Sequence, residues 1–202
     1  MLLSKHNLAI KSFCSKTSEK PEISGIFISP KESAATDGFR LVKVSTIKNL
    51  DKEYPEIPNK KLLENFKPFI LPKEKAEEVI KIFNPEKTGP LPVLKYAGVF
   101  KSNEKEAEIG TTDLESFRSV NARIINAHFP DYQQLFNENG KYVEIKVNAE
   151  FLKEIASFFA SFTGKLKEVV LKVPLEKEKA IKFYGENQTD NQTAEALLMP
   201  IK

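Results

Sequence analysis

The chain has one cysteine, Cys14, and two histidines, His6 and His128. A lone cysteine excludes a disulfide framework and points to a reducing compartment. One thiol and two scattered imidazoles fall short of the four ligands of a structural zinc site, so no metal is expected. No apolar run approaches the roughly 20 residues that cross a bilayer as a helix. The first residues mix polar and apolar types without the apolar core of a secretory leader. The expectation is a cytoplasmic protein with no membrane partner. The Asn-Gln-Thr triplets at 187–189 and 191–193 then read as polar loop rather than glycosylation sites. Also absent are the glycine-rich phosphate cradles, the G-x-S-x-G elbow and the H-E-x-x-H pair. Cys14 falls on or beside a buried helix face, where a cysteine acts as a small hydrophobe. With no nucleophile, base and ligand set, the chain is expected not to be an enzyme and to need no cofactor.

What the chain does have is the composition of a folded protein. Over its 202 residues, 41% are hydrophobic and 29% charged, which excludes disorder. A chain of this length buries roughly 70% of its unfolded surface, enough for a core without staples. The net charge of +3 permits loose, sequence-blind contact with a polyanion without requiring it.

Three stretches follow a helical period: 5–15 (Leu8, Ala9, Ser12, Phe13), 73–83 (Ala76, Val79, Ile80, Phe83) and 148–162 (Phe151, Leu152, Ile155, Phe158, Phe159, Phe162). Pro72 opens the second, Asn148 caps the third and Gly164 stops it. Each is preceded by a short apolar segment, at 2–3, 69–71 and 143–147. Val143, Ile145 and Val147 alternate with Tyr142, Glu144 and Lys146, the period of a strand. Strand-like runs follow each helix: 23–28 and 39–44, then 93–100, 107–111 and 117–125, then 169–173, 181–184 and 194–200. The pattern predicts three βαβββ-like units spaced by roughly 70 residues, longer than solenoid repeats. The expected class is α+β, with helices on one face of antiparallel sheet. The charged, proline-bearing stretch 48–68 is expected to be an exposed connector, and 137–141 a break before the third unit.

Three segments then stand out in order: Ala35-Thr36-Asp37-Gly38-Phe39-Arg40-Leu41, Phe129-Pro130-Asp131-Tyr132-Gln133-Gln134-Leu135, and Leu-Leu-Met-Pro-Ile-Lys at 197–202. Together they resemble the bacterial DNA polymerase III beta subunit, the sliding clamp, with its A-T-D-G-H-R-L, F-P-D-Y and closing M-P-M-R-L. Ile23-Ser24-Gly25-Ile26 and residues 69–73 resemble two further stretches of that family. The resemblance implies a DNA-clamp fold of one full clamp domain plus half of another. Residues 1–137 would match the family's middle domain and 138–202 the C-terminal half of its last.

The resemblance also implies a non-catalytic processivity factor that tethers DNA polymerase and other replication or repair proteins through a peptide-binding groove. By motif, the groove would hold Ile23, Thr36, Gly38, Phe39, Arg40, Leu41, Pro130, Gln134, Leu135, Met199, Pro200 and Ile201. Phe39 stands where the family has histidine, Gln134 where it often has arginine, and Lys202 is not followed by the usual leucine. A more apolar slot with a different peptide preference is expected. Clamp helices line a DNA pore, which would make Asn7, Lys11, Lys81 and Lys153 the DNA-facing residues, with weak, salt-dependent contact to double-stranded DNA. The third unit has no second half, so a homodimer through it is expected, and two dimers could form a tetrameric ring. A rival reading is an interaction module that binds clamp-motif peptides, or a clamp itself, without encircling DNA. Mass in solution separates the two.

Overall fold

A computed structural model describes residues 1–17, 19–47, 54–83, 95–136, 142–165, 167–176 and 178–201. Residues 48–53 of the expected connector, 93–94 of one expected strand, the break at 137–141 and Lys202 lie outside the described residues. The chain divides into two compact units, Met1–Gln134 and Leu135–Lys202.

The first unit holds two repeats. One runs β1 (Leu2–Ser4), α1 (Lys5–Ala9), β2 (Gly25–Ile28), β3 (Glu32–Thr36) and β4 (Leu41–Ser45). The other runs β5 (Phe69–Pro72), α2 (Lys73–Ile82), β6 (Tyr96–Ser102), β7 (Glu106–Thr112) and β8 (Phe117–Arg123). The two sheets have the orders β4-β3-β2-β5 and β1-β6-β7-β8. Each leading strand therefore adds to the sheet of the other repeat, antiparallel in both cases. The period of two explains the result. Met1, Leu3, Phe69 and Leu71 join Leu8, Ala76, Val79, Ile26, Ile28, Val99 and Ile109 in one core fed by both repeats. Each of the Met, Leu, Phe, Val and Ile side chains among these stabilises by about 1.5–3 kcal/mol when fully buried. At the first rung, Gly25 faces Pro72, and a Cβ on Gly25 would lie 2.4 Å from the Leu71 carbonyl oxygen. Only glycine permits that approach.

Two expectations need correction here. The first helix is α-helical for five residues only, and a 3-10 turn continues it over Ile10–Phe13. Ala9 and Ser12 are exposed, while Leu8, Ile10 and Cys14 are buried. The Ser12 hydroxyl donates to the Ala9 carbonyl at 3.4 Å and competes with the helical bond there. Strand β3 is a separate strand, whereas the sequence runs separate only 23–28 and 39–44. Burial pushes the Cys14 thiol up to about 11, so it stays protonated.

A buried carboxylate sits on β7. Glu108 accepts from Lys60 Nζ through both oxygens, at 2.6 and 2.7 Å, and from the Ser119 hydroxyl at 2.8 Å. Burial alone would raise its pKa, but the Lys60 and Ser119 bonds outweigh burial and hold the carboxyl below its usual range. A carboxyl depressed on folding stabilises above its unfolded pKa, near 4.3 for glutamate, and that contribution is lost as pH falls through the folded value. The wild-type urea midpoint is expected to drop on acidification below about pH 4. Glu108→Gln should lower the midpoint near neutrality and flatten the acid decline. Parallel pH profiles for the two proteins would contradict this.

The second unit holds a single repeat: α3 (Ala149–Phe162), β9 (Val170–Lys172), β10 (Ile181–Asn187) and β11 (Gln192–Leu198), with sheet order β11-β10-β9. Asn148 Oδ1 accepts from the backbone N–H groups of Glu150 and Phe151 at 2.8 and 3.3 Å, as an N-cap should. Gly164 follows the helix at φ +63°. The core is Phe159, Ile181, Phe183 and Leu198, with Ile145, Val147, Leu152, Ile155 and Phe162 against it. Phe151 and Phe158, expected on the buried stripe, are exposed. The first Asn-Gln-Thr triplet opens the β10–β11 hairpin turn and the second runs into β11.

Residues 143–147 carry no strand, contrary to their alternation. A strand needs a ladder partner, and in the first unit that partner comes from the other repeat. The second unit has only one.

Among the described residues no helix is long and apolar enough to cross a membrane.

Candidate functional site

The β3–β4 loop is organised by one carboxylate. Asp37 Oδ1 accepts from the backbone N–H groups of Phe39 and Arg40 at 3.0 and 2.8 Å. Its Oδ2 accepts from Arg40 Nε and Nη2 at 3.0 and 2.7 Å, a bidentate pair. The Arg40 bonds hold the Asp37 carboxyl down at about 2. The Thr36 hydroxyl accepts from the Gly38 N–H at 3.0 Å, and Gly38 takes φ +91°, where a Cβ would be strained. The Arg40 guanidinium also lies 5.0 Å over the Phe13 ring. This braced loop holds Phe39 97% exposed.

Leu41 turns back to the protein. It packs on a cluster of Ala34, Ile70, Phe129 and Tyr132, with Phe27 and Ile125 beside it. The rings are in close contact: Phe27 stacks on Phe129 at 5.1 Å, and Tyr132 meets Phe129 edge-on at 5.6 Å. The Tyr132 hydroxyl and Gln133 Nε2 both donate to Glu32 Oε1, at 2.7 and 2.6 Å. The Phe-Pro-Asp-Tyr corner is thereby tied to β2 and β3, leaving Pro130 and Gln134 exposed. Leu135 is exposed in the following 3-10 turn, Gln133–Phe136. Pro130, Phe129 and Tyr132 also line a cleft of about 1030 Å³ shared with Phe27, Phe69 and Ile125, which the motifs do not indicate. The loop residues 36–41 are not on its walls.

In the second unit the end of β11 alternates. Leu198 enters the core while Leu197 and Met199 face outward, Met199 63% exposed. Pro200 is half-buried and Ile201 exposed. The Ile201 N–H donates to the Lys146 carbonyl at 2.8 Å and fixes this tail on its own unit. The expected groove residues thus lie as two sets, each built within its own unit.

Two expected positions are corrected. Ile23 is buried in a 3-10 turn, Pro21–Ile23, and offers no surface to a peptide. Asn7 is fully buried rather than DNA-facing. Its Nδ2 donates to Ser33 Oγ at 3.0 Å and to the Val44 and Ser45 carbonyls at 3.1 Å each. Its Oδ1 accepts from the Ser4 N–H and hydroxyl at 2.9 and 3.0 Å. The asparagine is a bolt between the β1–α1 junction and strands β3 and β4. Lys11 and Lys81 approach Glu77 at 3.3 and 3.5 Å, and Lys11 first, then Lys81, lowers that carboxyl's pKa. Lys153 is exposed on α3. No group of three or more His, Cys, Asp or Glu among the described residues could hold a metal ion.

Paired βαβββ repeats that trade leading strands across two antiparallel sheets define a DNA-clamp fold. Solved structures show which clamps share this fold. The chain is similar to the DNA polymerase III subunit beta sliding clamp of Pseudomonas aeruginosa bound to griselimycin, with TM-score 0.67 and 16% identity over 100% of this chain and 50% of that one. It is similar to the Bartonella birtlesii clamp bound to griselimycin, with TM-score 0.66 and 18% identity over 100% and 51%. It is also similar to the Borrelia burgdorferi subunit beta in complex with a natural product, with TM-score 0.65 and 16% identity over 98% and 47%. The chain has the fold of the bacterial sliding clamp and spans about half the length of the clamps it matches. No protein-family profile and no curated protein matches it.

Proposed function

We propose that the chain is a non-catalytic, clamp-like tether that holds DNA polymerase or other replication and repair proteins through short extended peptides. The observation behind this reading is Phe39, a large aromatic side chain held almost wholly in solvent by the Asp37–Arg40 brace. A rigid loop that displays an uncovered aromatic is the profile of a contact residue, and aromatic anchors dominate binding energy. Leu135, Met199 and Ile201 add exposed apolar side chains at the other motif positions. The fold supports the reading, because the solved clamps with it include two bound to griselimycin. Contact with double-stranded DNA in this reading is weak and electrostatic. Exposed Lys153 supports it, whereas Lys11 and Lys81 already face Glu77.

The test is a titration of a labelled peptide bearing a glutamine and two apolar anchors. Met199→Ala or Leu41→Ala is expected to weaken binding by about 1–3 kcal/mol. Phe39→Ala should act in the same direction. A folded wild-type protein that binds no such peptide at high micromolar concentration would refute the reading.

A further inference from the structure

We infer that a second copy of this chain completes the second unit by mutual strand exchange, residues 143–147 of each copy pairing antiparallel with β9 of the other. The inference stands on the geometry of the repeats and is independent of the peptide reading.

The first unit shows the rule twice. Ser4, the residue before α1, faces Tyr96, and Pro72, the residue before α2, faces Gly25. Each receiving residue lies two positions ahead of the first rung to the next strand, Gly98 with Gly110 and Phe27 with Ala34. Each leading strand is also held on its other side by its own repeat. The Leu2 carbonyl accepts from the Ile47 N–H at 3.4 Å, just beyond β4, and the Ile70 carbonyl from the Ile125 N–H at 2.9 Å, just beyond β8.

The second unit repeats half of this arrangement. Lys146 lies two residues before the helix cap, as Leu2 and Ile70 lie two before Ser4 and Pro72, and its carbonyl accepts from the Ile201 N–H just beyond β11. Residues 143–147 are thus seated on their own repeat as β1 and β5 are. The exchange partner is what differs: β9 ends its sheet, where β2 and β6 each receive a leading strand.

The same register can be written for β9, whose first rung to β10 is Val170 with Tyr184. Asn148 then falls opposite Glu168, and the ladder runs back from there. Val147 faces Val169, Ile145 faces Leu171 and Val143 faces Val173, three apolar pairs on one face. On the other face Glu144 meets Lys172, a pair of opposite charge, beside Lys146 and Val170. Val170, Leu171 and Val173 are exposed in the single chain, an edge that soluble proteins do not leave open. The occupant is a second copy because the chain itself carries the strand that fits this edge in register, charge and apolar pattern. Reciprocal exchange gives a twofold, self-complementary interface.

The test uses charge reversal at two exposed positions, Glu144→Lys and Lys172→Glu, read by analytical ultracentrifugation. The wild type is expected to be a dimer at micromolar concentration. Each single variant puts like charges opposite each other in both ladders and should weaken the dimer by about tenfold. In an equimolar mixture of the two variants, a mixed dimer has opposite charges in both ladders. One ladder carries the two introduced side chains and the other the native pair of Glu144 and Lys172, so mixing should restore dimerisation. Circular dichroism confirms that each variant is folded. A wild type that stays monomeric would overturn the inference, including one that pairs only with a full-length clamp. So would a dimer that neither variant weakens, or singly weakened dimers that mixing fails to restore.

Discussion

Phe159→Ala is expected to destabilise the second unit by about 3–5 kcal/mol, the range for removing a fully buried aromatic ring. Phe159 is 1% exposed and is one of two phenylalanines in a core whose other buried members among the described residues are Ile181, Phe183 and Leu198. Its ring lies 6.4 Å from that of Phe183 and 5.2 Å from that of Phe158. Strand β10 is shaped around it. A Cβ on Gly185 would come 2.7 Å from the ring, so the backbone of β10 lies directly against it and cannot move in to fill the gap. The loss is comparable to the whole stability of a unit with one helix and a three-stranded sheet. Hydrogen exchange read segment by segment is the measurement. Amides of α3 and β10 should lose protection while those of β2, β3 and β7 keep theirs. Protection of α3 left as in the wild type would refute the expectation.

The parts of the fold that the sequence reveals are those written in short-range patterns. Helix α3 follows from its phenylalanine spacing, from Asn148 at its start and from Gly164 after its end. The turn at Asp37-Gly38 follows from residue types that make Asx bonds and tolerate positive φ. What the sequence hides is set by partners far along the chain. Strand β3 escapes notice because its buried positions are Ser33, Ala34 and Ala35, small residues without strand signature. Residues 143–147 have the alternation of a strand without a ladder, because periodicity reports which faces are apolar and says nothing of what is opposite. The exchange of β1 and β5 is invisible for the same reason. Phe151 and Phe158 fit a stripe by spacing, yet a helix over one repeat covers only part of it. The candidate site divides likewise. The motif positions are readable one by one, but the brace from Asp37 to Arg40 and the shared Glu32 that ties Tyr132 and Gln133 depend on side-chain geometry.

Asn7→Ala is expected to destabilise the first unit by about 3 kcal/mol. An exposed, DNA-facing asparagine would lose almost nothing on this change, so the substitution separates the two roles. The side chain's amide is the donor for Ser33 Oγ and for the carbonyls of Val44 and Ser45, and its oxygen is the acceptor for Ser4. Alanine leaves the buried Ser33 hydroxyl and the half-buried Ser4 N–H and Val44 carbonyl short of partners, at roughly 1–3 kcal/mol for each group stranded away from water, while the carbonyl of exposed Ser45 can turn to solvent. Geometry makes asparagine hard to replace. Aspartate keeps the acceptor for Ser4 but turns an oxygen toward two carbonyls that require a donor, and it buries a charge among groups that do not neutralise it. Burial would raise the pKa of that carboxyl in the folded state. The penalty of Asn7→Asp should therefore grow as pH rises through the unfolded value near 3.9 and shrink at lower pH, where a protonated carboxyl can donate one bond. Urea midpoints for wild type, Asn7→Ala and Asn7→Asp at about pH 3 and pH 7 test both statements. A midpoint for Asn7→Ala equal to that of the wild type would return the residue to the surface. A gap between Asn7→Asp and wild type that failed to narrow in acid would show that the aspartate is not buried as a charge.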